Sequence, residues 1–365
     1  MSAHPSKLSA AVLSIPQPLE LSLLNGFAFT CRPDCSLCCF ASPSISPQEH
    51  RDLLQIRPAG SFLEDEGGQA TNVRSRPQGG ACTYLHHRRC GVYTARPFPC
   101  REYPLSVHIG SRPQATLVLA CPGISLAPLS QWSHGGPPSA PPQGLDSEIE
   151  RVLAEATRQP LDQWLKEGRR IEDRTRSRLL RAHRWDAAED LRARVISDLP
   201  WPSEEDFPAE DPPDSSEGWD ALPLYFDEEH GPVTFLSRTE GWEAFSMREE
   251  GGPRHSLGLI PPLGAMPHLT EDARELLRGY LVYNLHRDFL FWLAYRELEA
   301  QEEATLEEMV REILRELAVQ AMARSAFRAA LQGSPWQTLR PRDIERGIRA
   351  IDNDFLDQAT LGGIL

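Results

Sequence analysis

The chain has 365 residues and 40.9 kDa, which fits two or three domains, and 40% apolar residues supply enough core to exclude a wholly disordered chain. Its 38 Lys and Arg against 52 Asp and Glu give a formal charge of −14, which argues against a nucleic-acid partner, because neutralising phosphate needs a basic surface. No apolar run approaches the ~20 residues that span a bilayer; the greasiest stretch, Leu281–Leu293, is broken by Asn284, His286, Arg287 and Asp288, so no membrane partner is expected. At the start, Lys7 and the apolar Leu8–Ile15 run into Pro16 and Pro18 without a small-residue cleavage site. A cytoplasmic location, where thiols stay reduced, is therefore expected.

In chain order, Leu21–Thr30 has strand-like composition and Asn72–Gly80 reads as loop. Leu105–Ile109 and Thr116–Ala120 read as short strands, with Gly110–Gln114 as the hairpin turn between them. Residues 1–130 hold 11 basic and 8 acidic side chains, whereas the remainder holds 27 and 44. The Gly/Pro-rich segment 131–145 falls at that change and reads as a stiff linker. Helical periodicity follows. Ser147–Glu150 has the form of a capping box, and Ile149, Val152 and Leu153 share a face that Trp164 and Leu165 continue past Pro160. The Pro/acid segment 200–217 reads as surface, and Tyr225–Trp242, around His230-Gly231-Pro232, as a hairpin. Thr270 should cap a helix running to about Ala300. Leu306, Met309, Val310, Ile313, Leu314 and Leu317 mark another helix, ended by Gly333-Ser334-Pro335, and Ile344, Ile348, Ile351 and Phe355 mark a last amphipathic one. The expectation is an α+β chain: a loop-rich cysteine-cluster metal-binding domain over 1–130, the linker, and a mostly helical acidic domain over 146–365 whose stripes pack as a small bundle.

All eight cysteines (Cys31, Cys35, Cys38, Cys39, Cys82, Cys90, Cys100 and Cys121) fall in the first domain. Thiolates two to four positions apart converge when the backbone turns between them, and a region poor in long periodic segments needs such a staple. Soft sulfur donors select zinc, Cu(I) or iron–sulfur clusters over magnesium or calcium. Eight thiols can saturate two four-sulfur sites, or one with residues to spare. Cys38 and Cys39 would face opposite sides of an extended segment, and so two different centres, unless the backbone bends there. A disulfide scaffold would require an oxidising compartment, and ordinary buried cysteines would be scattered rather than clustered. A structural zinc site has no spacing that distinguishes it from an iron–sulfur site. His86, His87 and His108 are candidate nitrogen ligands, whereas His286 reads as a packing residue. Arg96 and Arg101, bracketing Cys100, are candidates to offset a bound cluster's charge and donate hydrogen bonds to sulfur.

The run Cys31-x3-Cys35-x2-Cys38-Cys39, then Cys82-Thr83-Tyr84-Leu85, then Cys90-Gly91-Val92-Tyr93-Thr94-Ala95-Arg96-Pro97-Phe98-Pro99-Cys100-Arg101-Glu102-Tyr103-Pro104 and Cys121-Pro122-Gly123 resembles the YkgJ-type cysteine-cluster family. That resemblance, over about residues 27–123, implies zinc or iron chelation by the eight cysteines. Two positions depart from the family pattern: Ser36-Leu37 replace the usual glycine near the third cysteine, and Tyr103 stands where phenylalanine is common. A relative of that group, flagellin lysine N-methylase, is similar in layout, with the cluster ahead of a helical region and a Tyr/Asn-rich helix like Tyr280–Arg287.

Three functions follow from these readings. The first is a protein that binds a 4Fe–4S-type cluster or zinc, with metal ions and a redox partner as its associates. The second is a protein lysine N-methylase using S-adenosylmethionine on a protein substrate; the three-cysteine spacing of Cys31, Cys35 and Cys38 also matches radical S-adenosylmethionine enzymes. Against that class, no alternation of strand and helix follows, and no Gly-x-Gly-x-x-Gly is present. The third is a zinc-stapled interaction module. No catalytic residue is assigned.

Overall fold

A computed structural model of the chain describes residues 20–32, 35–40, 42–56, 62–64, 68–77, 80–109, 113–146, 149–150, 184–207, 225–227, 230–238, 241–260, 265–298 and 304–356. Ser147 and Glu148 of the expected cap, the helical face around Val152 and Trp164, and most of the Pro/acid segment lie outside them.

The architecture is α+β, with a strand- and loop-rich N-terminal region followed by a largely helical one. In the first region, α1 (Pro47–Ile56) opens on a capping box in which Ser46 Oγ accepts the Glu49 amide and the Glu49 carboxylate accepts the Ser46 amide. Two-stranded antiparallel ribbons follow: β1 (Phe62–Glu64) with β2 (Ala70–Val73), and β3 (Leu85–His86) with β4 (Arg89–Cys90). The short α2 (Phe98–Glu102) leads to β5 (Leu105–Ile109) paired with β6 (Pro113–Leu117). The expected hairpin is thus present, but its second strand starts at Pro113 rather than Thr116. The expected strand over Leu21–Thr30 is instead a 3₁₀ turn at Ser22–Leu24 followed by single bridges at Ala28 and Phe29.

A short helix α3 (Leu129–Trp132) follows. The Gly/Pro-rich stretch after it runs back along the start of the chain: Gly26 donates to Ala140 O, Phe29 to Gln143 O, and Gln143 to Phe27 O. Among the described residues the rest comprises α4 (Arg184–Ser197), an antiparallel sheet, and four further helices. The sheet takes β7 (Tyr225–Asp227), β8 (Gly231–Arg238), β9 (Gly241–Met247) and β10 (Pro253–Ile260) in sequential order. The hairpin read around His230 is its first corner; the two further strands were not foreseen.

The helix expected from Thr270 to Ala300 is two: α5 (Glu271–His286) and α6 (Asp288–Leu298). Between them Arg287 adopts an extended backbone, φ −75° and ψ 117°. Gln114 of β6 makes the break tolerable, since its side-chain amide donates to His286 O (3.1 Å) and accepts the Asp288 amide (2.9 Å), the groups a broken helix would orphan. α7 (Leu306–Leu331) starts on a Thr305/Glu308 capping box, and α8 (Pro341–Leu356) carries the expected amphipathic face. A two-residue parallel pair, β11 (His268–Leu269) with β12 (Thr338–Leu339), ties the starts of α5 and α8 together.

One continuous apolar core joins both regions: Leu23, Phe27, Leu117, Leu119, Cys121 and Trp132 pack with the buried faces of α5 to α8. A smaller core of Ile45, Leu53, Phe62, Val73, Tyr84 and Val92 lies under the first ribbons, with Cys82 and Cys90 on its margin.

Candidate metal centre

Local backbone geometry lays two of the cysteine segments against each other. Leu37–Cys39 form one 3₁₀ turn, so the chain bends where Cys38 and Cys39 meet instead of running extended through them. The Cys82 amide donates to Cys39 O (2.6 Å), laying the second cysteine segment against the first. Cys82 leads into the β3–β4 ribbon, where Cys90 pairs with Leu85. That ribbon closes on a two-residue turn, His87-Arg88, with φ of 50° and 61°. Both residues sit in the left-handed region, which costs side-chain-bearing residues about 1 kcal/mol or more each. Two braces hold the ribbon: the Arg88 amide donates to Glu249 Oε1 (3.0 Å), and Arg76 donates to Leu85 O (2.5 Å) and Glu249 O (3.2 Å). Cys100 lies on α2.

Cys39, Cys82, Cys90 and Cys100 each feel the charge of Cys38. Cys31 and Cys121 each interact with Cys35, which in turn interacts with Cys38. All eight are unbridged; Cys31 is exposed, Cys121 is buried and the others are half-buried. Among the described residues, no three His, Cys, Asp or Glu side chains stand in an arrangement that holds one metal ion.

Burial pushes up the Cys35, Cys82, Cys90 and Cys100 thiols, because a low-dielectric setting disfavours thiolate. Burial also takes Cys121 up to about 12. Cys38 goes the other way: the hydrogen bond from Cys39 and the nearby Arg96 charge outweigh burial and pull it down to about 7, while the same bond pushes Cys39 up. The first proton thus leaves the pair easily and the second is retained.

Arg96 and Arg101 differ. Arg96 lies with its Cζ 4.0 Å from the Tyr93 ring centre and its charge is felt by Cys38, Cys90 and Cys100. Arg101 instead pairs with Glu49 at 3.3 Å, on the flank of α1. His86 and His87 are exposed at the ribbon tip, and the side chain of His108 lies outside the described residues. His286 packs edge-on against Trp132 and meets Gly135 O at 3.2 Å. The Tyr280–Arg287 segment is interior: Tyr280, Tyr283, Asn284 and Arg287 are buried and bonded within the core.

Cys121 sits on an arm whose neighbour Gly123 accepts the Thr30 amide (2.9 Å); a Cβ at Gly123 would meet Thr30 O at 2.6 Å, so only glycine permits that approach. Tyr103 buries its hydroxyl toward Cys121 without a well-directed hydrogen bond. Three residues that spacing could not single out therefore shape the site: Arg76, Tyr103 and Arg349 of α8, the last donating to Cys121 O at 2.6 Å. Arg76 lies in a segment read as loop, and Arg349 lies 228 positions from its acceptor.

Residues 30–122 match the model of the CxxCxxCC family, described as "Putative zinc- or iron-chelating domain". No curated protein and no solved structure matches the chain. No helix among the described residues is long and apolar enough to cross a membrane.

Proposed function

We propose that this chain binds a 4Fe–4S-type cluster or zinc through its clustered cysteines and that the centre serves a redox or cluster-dependent role. The observation that carries the reading is the match of residues 30–122 to a zinc- or iron-chelating domain model, together with the turn at Leu37–Cys39 and the Cys82 amide bond to Cys39 O that lay two of its cysteine segments against each other. The donor set fits a soft metal in chemistry, being all sulfur and more numerous than one tetrahedral ion requires. The eight thiols suffice for two four-sulfur sites.

The residues divide the work. Half-burial keeps bulk water off the sulfurs while leaving the group near the surface, where a redox partner can approach. Thiols held protonated by burial give up their protons on ligation, so metal uptake releases acid. Cys38, already close to ionised at neutral pH, is the entry ligand. The Arg96 guanidinium offsets part of the negative charge that ligated thiolates gather. Once bound, the metal group supplies a cross-link between the cysteine segments and, if it is an iron–sulfur cluster, an electron-accepting site.

Anaerobically purified protein is the test. Iron with acid-labile sulfide and a visible absorbance that bleaches on reduction supports the redox reading. Colourless protein with stoichiometric zinc supports the centre as a staple for an interaction module. Metal-free protein that binds neither on reconstitution refutes the proposal. Transfer of a labelled methyl group from S-adenosylmethionine to a protein lysine would select the methylase alternative, which draws no support from the buried Tyr280–Arg287 helix.

A further inference from the structure

The arm that carries Cys121 is held from two sides. The cysteine region takes part of it: Val118 donates to Pro104 O (2.8 Å) and Thr30 to Gly123 O (2.9 Å). Four further backbone groups of the arm go to the last helix. Arg349 donates through Nη1 to Leu119 O (3.2 Å) and Cys121 O (2.6 Å), and through Nη2 to Ile124 O (2.7 Å). Asp352, three residues on and on the same helical face, accepts the Leu119 amide at 2.6 Å. A planar guanidinium fork collects three carbonyls at fixed angles, which an ammonium cannot reproduce. Asp352 is itself gripped by Arg287, which also donates to Leu117 O at 2.5 Å. The arm, the kink between α5 and α6, and α8 thus form one connected polar unit.

We propose that Arg349 is a positioning residue for Cys121: by gathering the carbonyls on either side of it, α8 fixes where the Cys121 sulfur points, so that metal occupancy at Cys121 and docking of α8 strengthen each other. This regulation of the site rests on the metal reading above. Coupling of this kind is reciprocal: whatever factor docked α8 adds to metal affinity, the metal adds to docking. Losing one charge-assisted hydrogen bond is worth roughly tenfold in an equilibrium.

The experiment uses the full chain, reduced and metal-free, titrated with zinc alone against a chromophoric chelator. Hydrogen exchange of residues 341–352 is followed by mass spectrometry with and without zinc. Zinc should slow exchange across α8 in the wild type. That slowing should vanish in Cys121→Ser, although this variant still takes zinc at the other thiols. Arg349→Lys keeps the charge but not the fork; it should weaken zinc binding roughly tenfold and reduce the thiolate-to-metal charge-transfer intensity of the cobalt(II) form. Ile344→Ala, a core truncation elsewhere on α8, should leave that intensity unchanged. Exchange in α8 that ignores zinc, or an Arg349→Lys variant with wild-type affinity and spectrum, overturns the inference while leaving the metal reading intact. A wild type that takes up no zinc or iron overturns the metal reading itself. Should Arg349→Lys fail to fold, the wild-type and Cys121→Ser comparison still decides.

Discussion

Removing the Asp352 carboxylate should unlock the interior of the molecule. Arg287 and Asp352 are both fully buried, 0% exposed, and meet at 2.7 Å. Burial works against the Arg287 charge, but Asp352 together with Tyr283 and Tyr280 outweighs it and holds the guanidinium above its usual range. Arg287 also donates to Thr116 Oγ1 (2.8 Å), Asn284 Oδ1 (2.7 Å) and Leu117 O (2.5 Å), and its Cζ lies 4.5 Å from the Tyr283 ring centre. Asp352→Ala leaves that cation uncompensated, at a cost of about 3–5 kcal/mol. It also orphans the Leu119 amide, at about 1–3 kcal/mol. A loss of at least about 4 kcal/mol would consume much of the roughly 5–15 kcal/mol by which folded domains are stable. Urea unfolding followed by circular dichroism should therefore show a midpoint far below wild type, or a chain already unfolded in buffer. The double variant Arg287→Met/Asp352→Leu should lose less than Asp352→Ala, because removing both charges leaves no ion stranded. A loss below about 1 kcal/mol for Asp352→Ala would refute the reasoning, since it would mean water or another anion already serves Arg287.

Other outcomes follow from single contacts. Gly279→Ala would put a Cβ 1.7 Å from Leu129 O, so α3 and α5 must part; a loss beyond the about 1–3 kcal/mol of ordinary overpacking is expected, and an unchanged melting temperature would contradict the close approach. In metal-free protein, Cys38 should be alkylated by iodoacetamide ahead of Cys82, Cys90 and Cys100. Its lowered position near 7 makes it mostly thiol at pH 6 and mostly thiolate at pH 8, whereas burial keeps Cys82, Cys90 and Cys100 slow across that range; peptide mapping by mass spectrometry reads the order. Arg96→Met should lower metal affinity, because its charge faces the sulfurs, while Arg101→Met should leave metal content unchanged and cost about 0–1 kcal/mol through a partly exposed pair with Glu49. Equal metal loss in both variants would contradict that division.

The parts of the fold legible in the sequence are those set by local pattern. α7, α8 and the β5–β6 hairpin follow from apolar periodicity and turn residues within about twenty positions, and the cysteine spacing marks the segment that matches a zinc- or iron-chelating domain model. What was not legible depends on distant partners. Nothing near Arg287 breaks a helix; the break is stabilised by Gln114 and Asp352, which arrive from β6 and α8. Leu21–Thr30 has strand composition, yet without a continuous neighbour it makes only isolated bridges. The same holds at the site. The bend at Cys38 and Cys39 is a local 3₁₀ turn, but Arg349 reaches Cys121 only because α5 to α8 close over the arm that follows β6.

X-ray absorption at the K edge of whatever metal copurifies with the protein tests the central claim most directly. A first shell of about four sulfurs near 2.3 Å, reduced when Cys38 and Cys39 are both replaced by serine, is the expected result. A shell of oxygen and nitrogen alone, or one untouched by that replacement, would contradict the thiol centre on which the account stands.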